Sequence, residues 1–197
     1  RQRQMCIRDS DLAGAGRISL RRHAANMGYP AAVNTALSDA DGMDVVLLNS
    51  DTLLAPGWLD EMLRVAYARV DTGTVTPLSN DASILTWPEP EVPWPCDMET
   101  VHRLMAASLH ANGGQDVEIP TAHGFCMLVR HDCLRQTGLF RPEFYGRGYG
   151  EENDFSMRAR LAGWRHRAAA GVFVGHVGGV SFGAQRRALQ QRNLWML

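Results

Sequence analysis

MDVVLLNSDT, residues 43–52, is the stretch on which the reading of the fold turns. Residues 43–48 form an almost unbroken apolar run, which stops abruptly at Asn49-Ser50-Asp51. A short apolar run of this kind is the pattern of a strand covered on both faces, as at the centre of a parallel sheet. Ligands in open α/β sheets bind beyond the carboxyl ends of strands, where these polar groups stand. Asp51 can hold a hard divalent cation whose other ligands are phosphate oxygens and water. Equally, Asp51 or Ser50 can close an Asx-turn or cap free backbone amides.

Outward from this run, strands and helices alternate. Residues 17–21 read as a short strand and 28–40 as a helix with Pro30 in its first turn. Residues 56–70 form a helix whose apolar positions Trp58, Leu59, Met62, Leu63, Ala66 and Val70 recur at spacings of three and four. A strand is expected at 73–77. Residues 86–96 carry four prolines and two tryptophans and read as loop. A helix at 98–109, a strand at 125–129, a helix at 153–161 stopped by Gly163, and a strand at 167–174 complete the pattern, with a further helix from 184. The class is therefore α/β, with a mostly parallel sheet flanked by helices.

The chain has 197 residues, enough for one domain with a core of ordinary size. Its net charge of −1 provides no field that would draw nucleic acid to the whole surface, and no nucleic-acid partner is expected. All 20 basic residues are arginine. The cysteines, Cys6, Cys96, Cys126 and Cys133, form no C-x-x-C pair, and a reduced cytoplasmic setting is the default. No apolar run reaches the roughly 18 residues that span a bilayer. Residues 1–10, RQRQMCIRDS, have no initiator methionine and no periodicity, and resemble translated sequencing adapter at the end of a metagenomic fragment. They are set aside as an artefact. Residues 11–197 are then read as a partial domain.

Three further segments carry candidate chemistry. GYGEENDF, 148–155, places Glu151, Glu152 and Asp154 at a helix start after a glycine-rich turn. Clustered carboxylates repel unless the helix dipole, donors or a metal offset them. One of them can serve as a general base; ordinary acidic capping explains one or two acids well and three less well. His176, in FVGHVGG, follows an apolar strand among glycines and is a candidate metal ligand, although a lone histidine is more often packed or solvated. Asn26, Gly28 and Asn34 frame a helix start whose free amides can meet phosphate or ribose.

Taken in order, these segments resemble the family-two glycosyltransferases of GT-A fold, particularly bacterial ones. The resemblance covers about residues 17–183. It runs through N-x-G…N, LLNSDT…PGWL, GFCMLVR, GLFRPEFYGRGYGEENDFSMRARLAGW and H-x-G-G-x-SF. It implies a Rossmann-like sheet whose first βαβ elements are missing from this chain. Asn49-Ser50-Asp51 stands at the D-x-D position, so Asp51 would bind Mg2+ or Mn2+ on the donor diphosphate, with Asn49 in place of the first aspartate. His176 would complete that metal site. Asn26, Gly28, Asn34 and Asn49 would contact the nucleotide. Glu152 falls at the catalytic base, where most relatives carry aspartate, and Asp154 is the second candidate. Gly124 and Phe125 would lie near the acceptor, and Trp87 or Trp94 in the proline-rich loop could stack on an acceptor sugar.

The implied function is transfer of a sugar from a nucleotide-sugar donor to an acceptor hydroxyl, by metal-assisted single displacement with inversion. The acceptor would be a glycan, a lipid-linked molecule or a protein, in cell-envelope polysaccharide synthesis. The location implied is cytoplasmic, with the parent protein peripheral at the inner face of the plasma membrane. The missing elements make this exact chain an expected poor catalyst. A non-catalytic nucleotide-sugar or glycan-binding relative is the alternative, favoured by Asn49 and Glu152. A nucleotide-dependent oxidoreductase is disfavoured, since no G-x-G-x-x-G follows a strand.

Overall fold

The computed structural model describes residues 19–40, 42–146 and 148–177. Residues 1–10, the end of the resemblance beyond 177 and the expected helix from 184 lie outside them. The elements are α1 (Tyr29–Leu37), β1 (Val45–Leu48), β2 (Thr52–Leu53), α2 (Trp58–Ala68), β3 (Thr72–Leu78), α3 (Met98–Asn112), β4 (Asp116–Ile119), β5 (Cys126–Val129), α4 (His131–Thr137), α5 (Pro142–Tyr145), α6 (Glu151–Leu161), β6 (Arg165–Phe173) and β7 (Gly175–His176), with a single 3-10 turn at Ser83–Leu85. Residues 19–21 of the expected first strand are not in a strand.

The sheet corrects the expected topology. Its order is β1-β5-β3-β6-β4, and a separate two-stranded ribbon joins β2 to β7. Only β3 and β6 run parallel; β1–β5, β5–β3 and β4–β6 are antiparallel. The sheet is thus mixed and mostly antiparallel, not mostly parallel, and β1 lies at its edge among the described residues. The reason is physical. An apolar run reports that a strand is covered on both faces, not which way its neighbours run. The short acidic strand β4, DVEI, carries no such run at all, and Val117 within it is exposed.

Helices cover both faces, and β5 shows how. Its alternate residues Cys126 and Leu128 belong to one core cluster, with Met62 and Val65 of α2 and Val101 and Met105 of α3. Met127 and Val129 belong to the other, with Leu37 of α1, Cys133 of α4 and Phe155 of α6. This is the two-residue period of a strand expressed as two cores. Phe155 is almost fully buried against Phe140, and its burial contributes about 2–3 kcal/mol to seating α6. In α2 the buried stripe is Glu61, Met62, Val65 and Ala66, while Val70 falls beyond the helix and is fully exposed. Glu61 is tolerated inside because Arg64 chelates it and the Gly114 amide donates to its Oε1 at 2.6 Å.

His166 of β6 is completely buried and joins the sheet to α6. Its Nε2 lies 2.9 Å from the Ser156 carbonyl, which only accepts, so Nε2 carries the proton. Nδ1 then accepts from the Thr74 hydroxyl at 2.7 Å. Burial is the main force holding this imidazole below its ordinary pKa of 6.5; the bond to Ser156 pulls weakly the other way. The unfolded chain therefore takes up a proton below about pH 6.5 that the folded chain refuses, and stability falls as pH drops through that value. In denaturant titrations from pH 7.5 to 5, the stability advantage of the wild type over His166→Gln is expected to shrink. A pH-independent difference would contradict this reading.

Candidate active site

The site begins where β1 ends. The Asn49 amide donates to the Phe125 carbonyl at 2.9 Å, carrying the β1–β5 pairing one residue further. The chain then turns: the Thr52 hydroxyl donates to the Asn49 carbonyl at 2.8 Å, and β2 pairs with β7 so that Thr52 faces His176. The Val177 amide donates to the Asp51 carbonyl at 2.9 Å. That ribbon brings together residues from opposite ends of the described chain. His176 Nε2 lies 3.5 Å from Asp51 Oδ1 and 3.5 Å from the Asn49 side-chain amide.

The orientation of the imidazole is over-determined. Its Nδ1 sits 2.7 Å from the Asp81 carbonyl, an acceptor, so Nδ1 holds the proton. Its ring stacks on Phe125 at 5.1 Å between centroids. The backbone on either side is clasped by Asn80, whose Oδ1 accepts from the His176 amide at 2.7 Å and whose Nδ2 donates to the His176 carbonyl at 2.9 Å and the Trp94 carbonyl at 2.7 Å. In the neutral ring, Nε2 is then a lone pair directed at a carboxylate. Two electron-rich groups so placed fit a shared cation, and a backbone carbonyl on the other ring nitrogen is the usual support for a metal-binding histidine. Among the described residues, no group of three or more His, Cys, Asp and Glu side chains could hold a metal ion. The donor set of Asp51 and His176, with the Asn49 amide beside them, therefore suits a cation that takes its remaining oxygens from a bound ligand.

The acidic cluster reaches the same 124–125 segment at Gly124. A side-chain carbon on Gly124 would sit 3.8 Å from Glu152 Oε1, and the Tyr29 hydroxyl donates to the Gly124 carbonyl at 3.4 Å. Phe125, the next residue, is the one stacked on His176. Glu152 is partly buried and its Oε2 is sealed without a hydrogen-bond partner; Glu151 is 5% exposed and its Oε2 is likewise unpartnered. Burial is the first cause raising both carboxyls above the ordinary range. Burial, reinforced by the charges of Glu152 and Glu151, also raises the Tyr29 phenol. Asp154 is differently placed: it accepts from Arg158 at 2.8 Å and lies 3.7 Å from Arg141.

The remaining expected residues are engaged within the protein. Asn26 accepts from the Gly28 amide at 2.9 Å, and the Asn34 side chain bonds both the amide and the carbonyl of Phe140. Trp87 is half-exposed on the proline-rich loop, and its carbonyl accepts from Trp94 Nε1 at 2.6 Å. Trp94 stacks on Phe173. Between this loop and His176 lies a cleft of about 360 Å³, walled by Trp94 and its flanking prolines, with Asn80 and Asp81 in its lining. Sequence reading missed Asn80, Asp81 and Tyr29. For Asn80-Asp81 a signal existed: they follow the end of β3, as Asn49-Asp51 follow β1.

The profile of the family described as "Glycosyltransferase like family 2" matches residues 14–196, nearly the whole chain. The chain belongs to this glycosyltransferase family. No curated protein matches the sequence of this family-2 chain. Among solved structures, it is similar to "Crystal structure of GalNAc-T7 with UDP, GalNAc and Mn2+", with a TM-score of 0.63 and 12% identity, over 89% of this chain and 35% of that one. The family-2 chain thus spans about a third of that protein's length, and the likeness is one of fold.

Proposed function

We propose that this chain is the donor-binding and catalytic part of a nucleotide-sugar-dependent transferase that moves a sugar to an acceptor hydroxyl with inversion. The observation that carries the reading is the convergence of Asp51 and the tautomer-fixed His176 at the end of β1. A divalent cation held there, Mg2+ or Mn2+, would neutralise charge on the departing nucleoside diphosphate. The solved relative's UDP and Mn2+ support this assignment for the site's ligands. Asp51 and His176 would hold the cation, and Asn49 would hydrogen-bond the ribose or a metal-bound water.

Glu152 would take the proton of the acceptor hydroxyl as its oxygen attacks the anomeric carbon from the face opposite the diphosphate. Gly124 and Phe125 would order the two substrates between base and cation, and such placement supplies much of the acceleration. The cleft beside His176, lined by Asp81 and walled by the proline-rich loop, would be where a sugar docks. A glycan, lipid-linked or protein acceptor and a cytoplasmic site at the inner membrane face are part of this proposal. A binding-only relative is the second reading, favoured by Asn49, which brings no charge to the metal position.

Two measurements test it. Release of nucleoside diphosphate from a panel of sugar donors in Mn2+ separates transferase from binding module. Asp51→Ala and His176→Ala are each expected to weaken Mn2+-dependent nucleoside diphosphate binding by about tenfold or more. Unchanged binding in both variants refutes the cation site.

A further inference from the structure

We propose that the cleft between the proline-rich loop and His176 is a second sugar subsite, where Trp94 stacks on a pyranose ring of the acceptor that does not itself react. The acceptor this implies is an oligosaccharide rather than a single sugar or a bare lipid. The catalytic meaning of the subsite rests on the transferase reading. The stacking of a sugar ring on Trp94 rests on the geometry of the loop.

Trp94 is fixed from several sides. One face of its indole lies on Phe173, with ring centroids 6.1 Å apart and planes 26° from parallel. Its Nε1 donates to the Trp87 carbonyl at 2.6 Å. Its backbone amide donates to the Asn80 carbonyl at 3.2 Å, and its own carbonyl accepts from Asn80 Nδ2 at 2.7 Å. Phe173 is buried, so the indole face against it belongs to the core. Trp94 is nonetheless only partly buried, and it lines the cleft. The ring surface it offers there is held in one plane before any ligand arrives. Stacking on such a surface costs little side-chain entropy.

The hydrogen bonds already made around the cleft narrow what it can recognise. The Asn80 side chain is engaged with His176 and Trp94, and His176 Nδ1 with the Asp81 carbonyl. Pro93 and Pro95 have no N–H to offer. The lining therefore presents an indole and two pyrrolidine rings beside a short polar margin at Asp81 and His176. A pyranose has the matching division, with C–H groups on its face and hydroxyls around its edge. An alkyl chain would cover the polar margin without satisfying it. His176 places the cleft next to the cation site, yet neither Asp51 nor Glu152 is in its lining. A ring held there lies beside the reacting centre, where its binding helps to position the unit that reacts.

Cys96 also lines the cleft and can report its occupancy. The chain is treated with iodoacetamide at alkaline pH, since burial raises this thiol, and alkylation is read peptide by peptide. The buried Cys126 and Cys133 serve as controls for unfolding. Cellobiose, maltose and lactose are added in turn at about 50 mM, enough to fill most of a site of millimolar affinity. At least one of them is expected to slow alkylation of Cys96 by about fivefold or more. Trp94→Phe keeps an aromatic face and should retain most of that protection, whereas Trp94→Leu should weaken the sugar's affinity by about fivefold. Protection by none of the three sugars, undiminished protection in a folded Trp94→Leu chain, or equal protection by hexanol overturns the subsite. So does a Cys96 that reacts as slowly as Cys126 without sugar, because the chain itself then fills the cleft. None of these outcomes touches the cation site of Asp51 and His176, which nucleoside diphosphate binding and release judge separately.

Discussion

Glu152→Gln is expected to lower turnover by ~10³-fold while leaving Mn2+-dependent nucleoside diphosphate binding close to that of the wild type. The substitution keeps the shape of the side chain and removes only its capacity to accept a proton. Glu152 lies against Gly124, whereas the His176 ring is held by Phe125, Asp81 and the Asn80 clasp, so loss of the carboxylate should leave the Asp51–His176 pair undisturbed. Asp154 is the weaker candidate for the same role, because Arg158 and Arg141 engage its carboxylate. Those contacts make Asp154 a fastening of α6, and substitution there should be read in melting temperature before it is read in rate. Undiminished turnover in Glu152→Gln would sink the assignment and return attention to Asp154.

The second large effect is expected at a residue that touches no reacting group in this account. Asn80 is 2% exposed; besides accepting from the neighbouring Ser79 hydroxyl, its side chain makes three hydrogen bonds to distant backbone, two to His176 and one to the Trp94 carbonyl. Asn80→Ala strands all three partners in a buried setting. At about 1 kcal/mol or more for each orphaned group, the fold should lose about 3 kcal/mol. The same change frees β7 and the proline-rich loop together. Metal-dependent binding should therefore weaken alongside stability, whereas a variant that merely loosens the core would lower only the latter. Urea unfolding and nucleoside diphosphate titration in Mn2+, run on the same preparation, separate the two. Full-strength binding in a destabilised Asn80→Ala chain would show that the clasp does not position the imidazole.

Much of the secondary structure was legible because it is written in local periodicity. The helices around Trp58 and Met98 and the strands around Val45 and Cys126 follow from apolar spacing, and the helix around Phe155 from its glycine stop at Gly163. The sheet topology was not legible, because direction is decided by pairing between distant segments. Val45 against Val129 and Thr74 against Val129 are antiparallel by virtue of where β5 inserts, and nothing in VVLL or CMLV encodes that insertion. Short elements such as β2, β7 and β4 exist only through their partners and have no periodicity to read.

The site was half legible. Asp51 and His176 stood out as polar groups closing apolar runs, and they do meet. Asn34 stood out equally and proves to tie α1 to the backbone of Phe140. A side chain that binds a ligand and one that binds its own chain use the same amide. What distinguishes them is the identity of the nearest partner, which lies far along the sequence. Asn80 was overlooked for the complementary reason: three of its partners lie at Trp94 and His176, too far away for any local pattern to reveal.

The ribbon of β2 and β7 also bears on the order of assembly. Its register joins Thr52 to His176, so its formation closes a loop encompassing most of the chain, among the costliest contacts in entropy and among the slowest to form. During synthesis β1, β3 and β5 can pair while Asp51 still lacks its imidazole. If Asp51 and His176 hold the proposed cation, that capacity is a late property of the nascent chain, acquired only once residue 176 has emerged and docked.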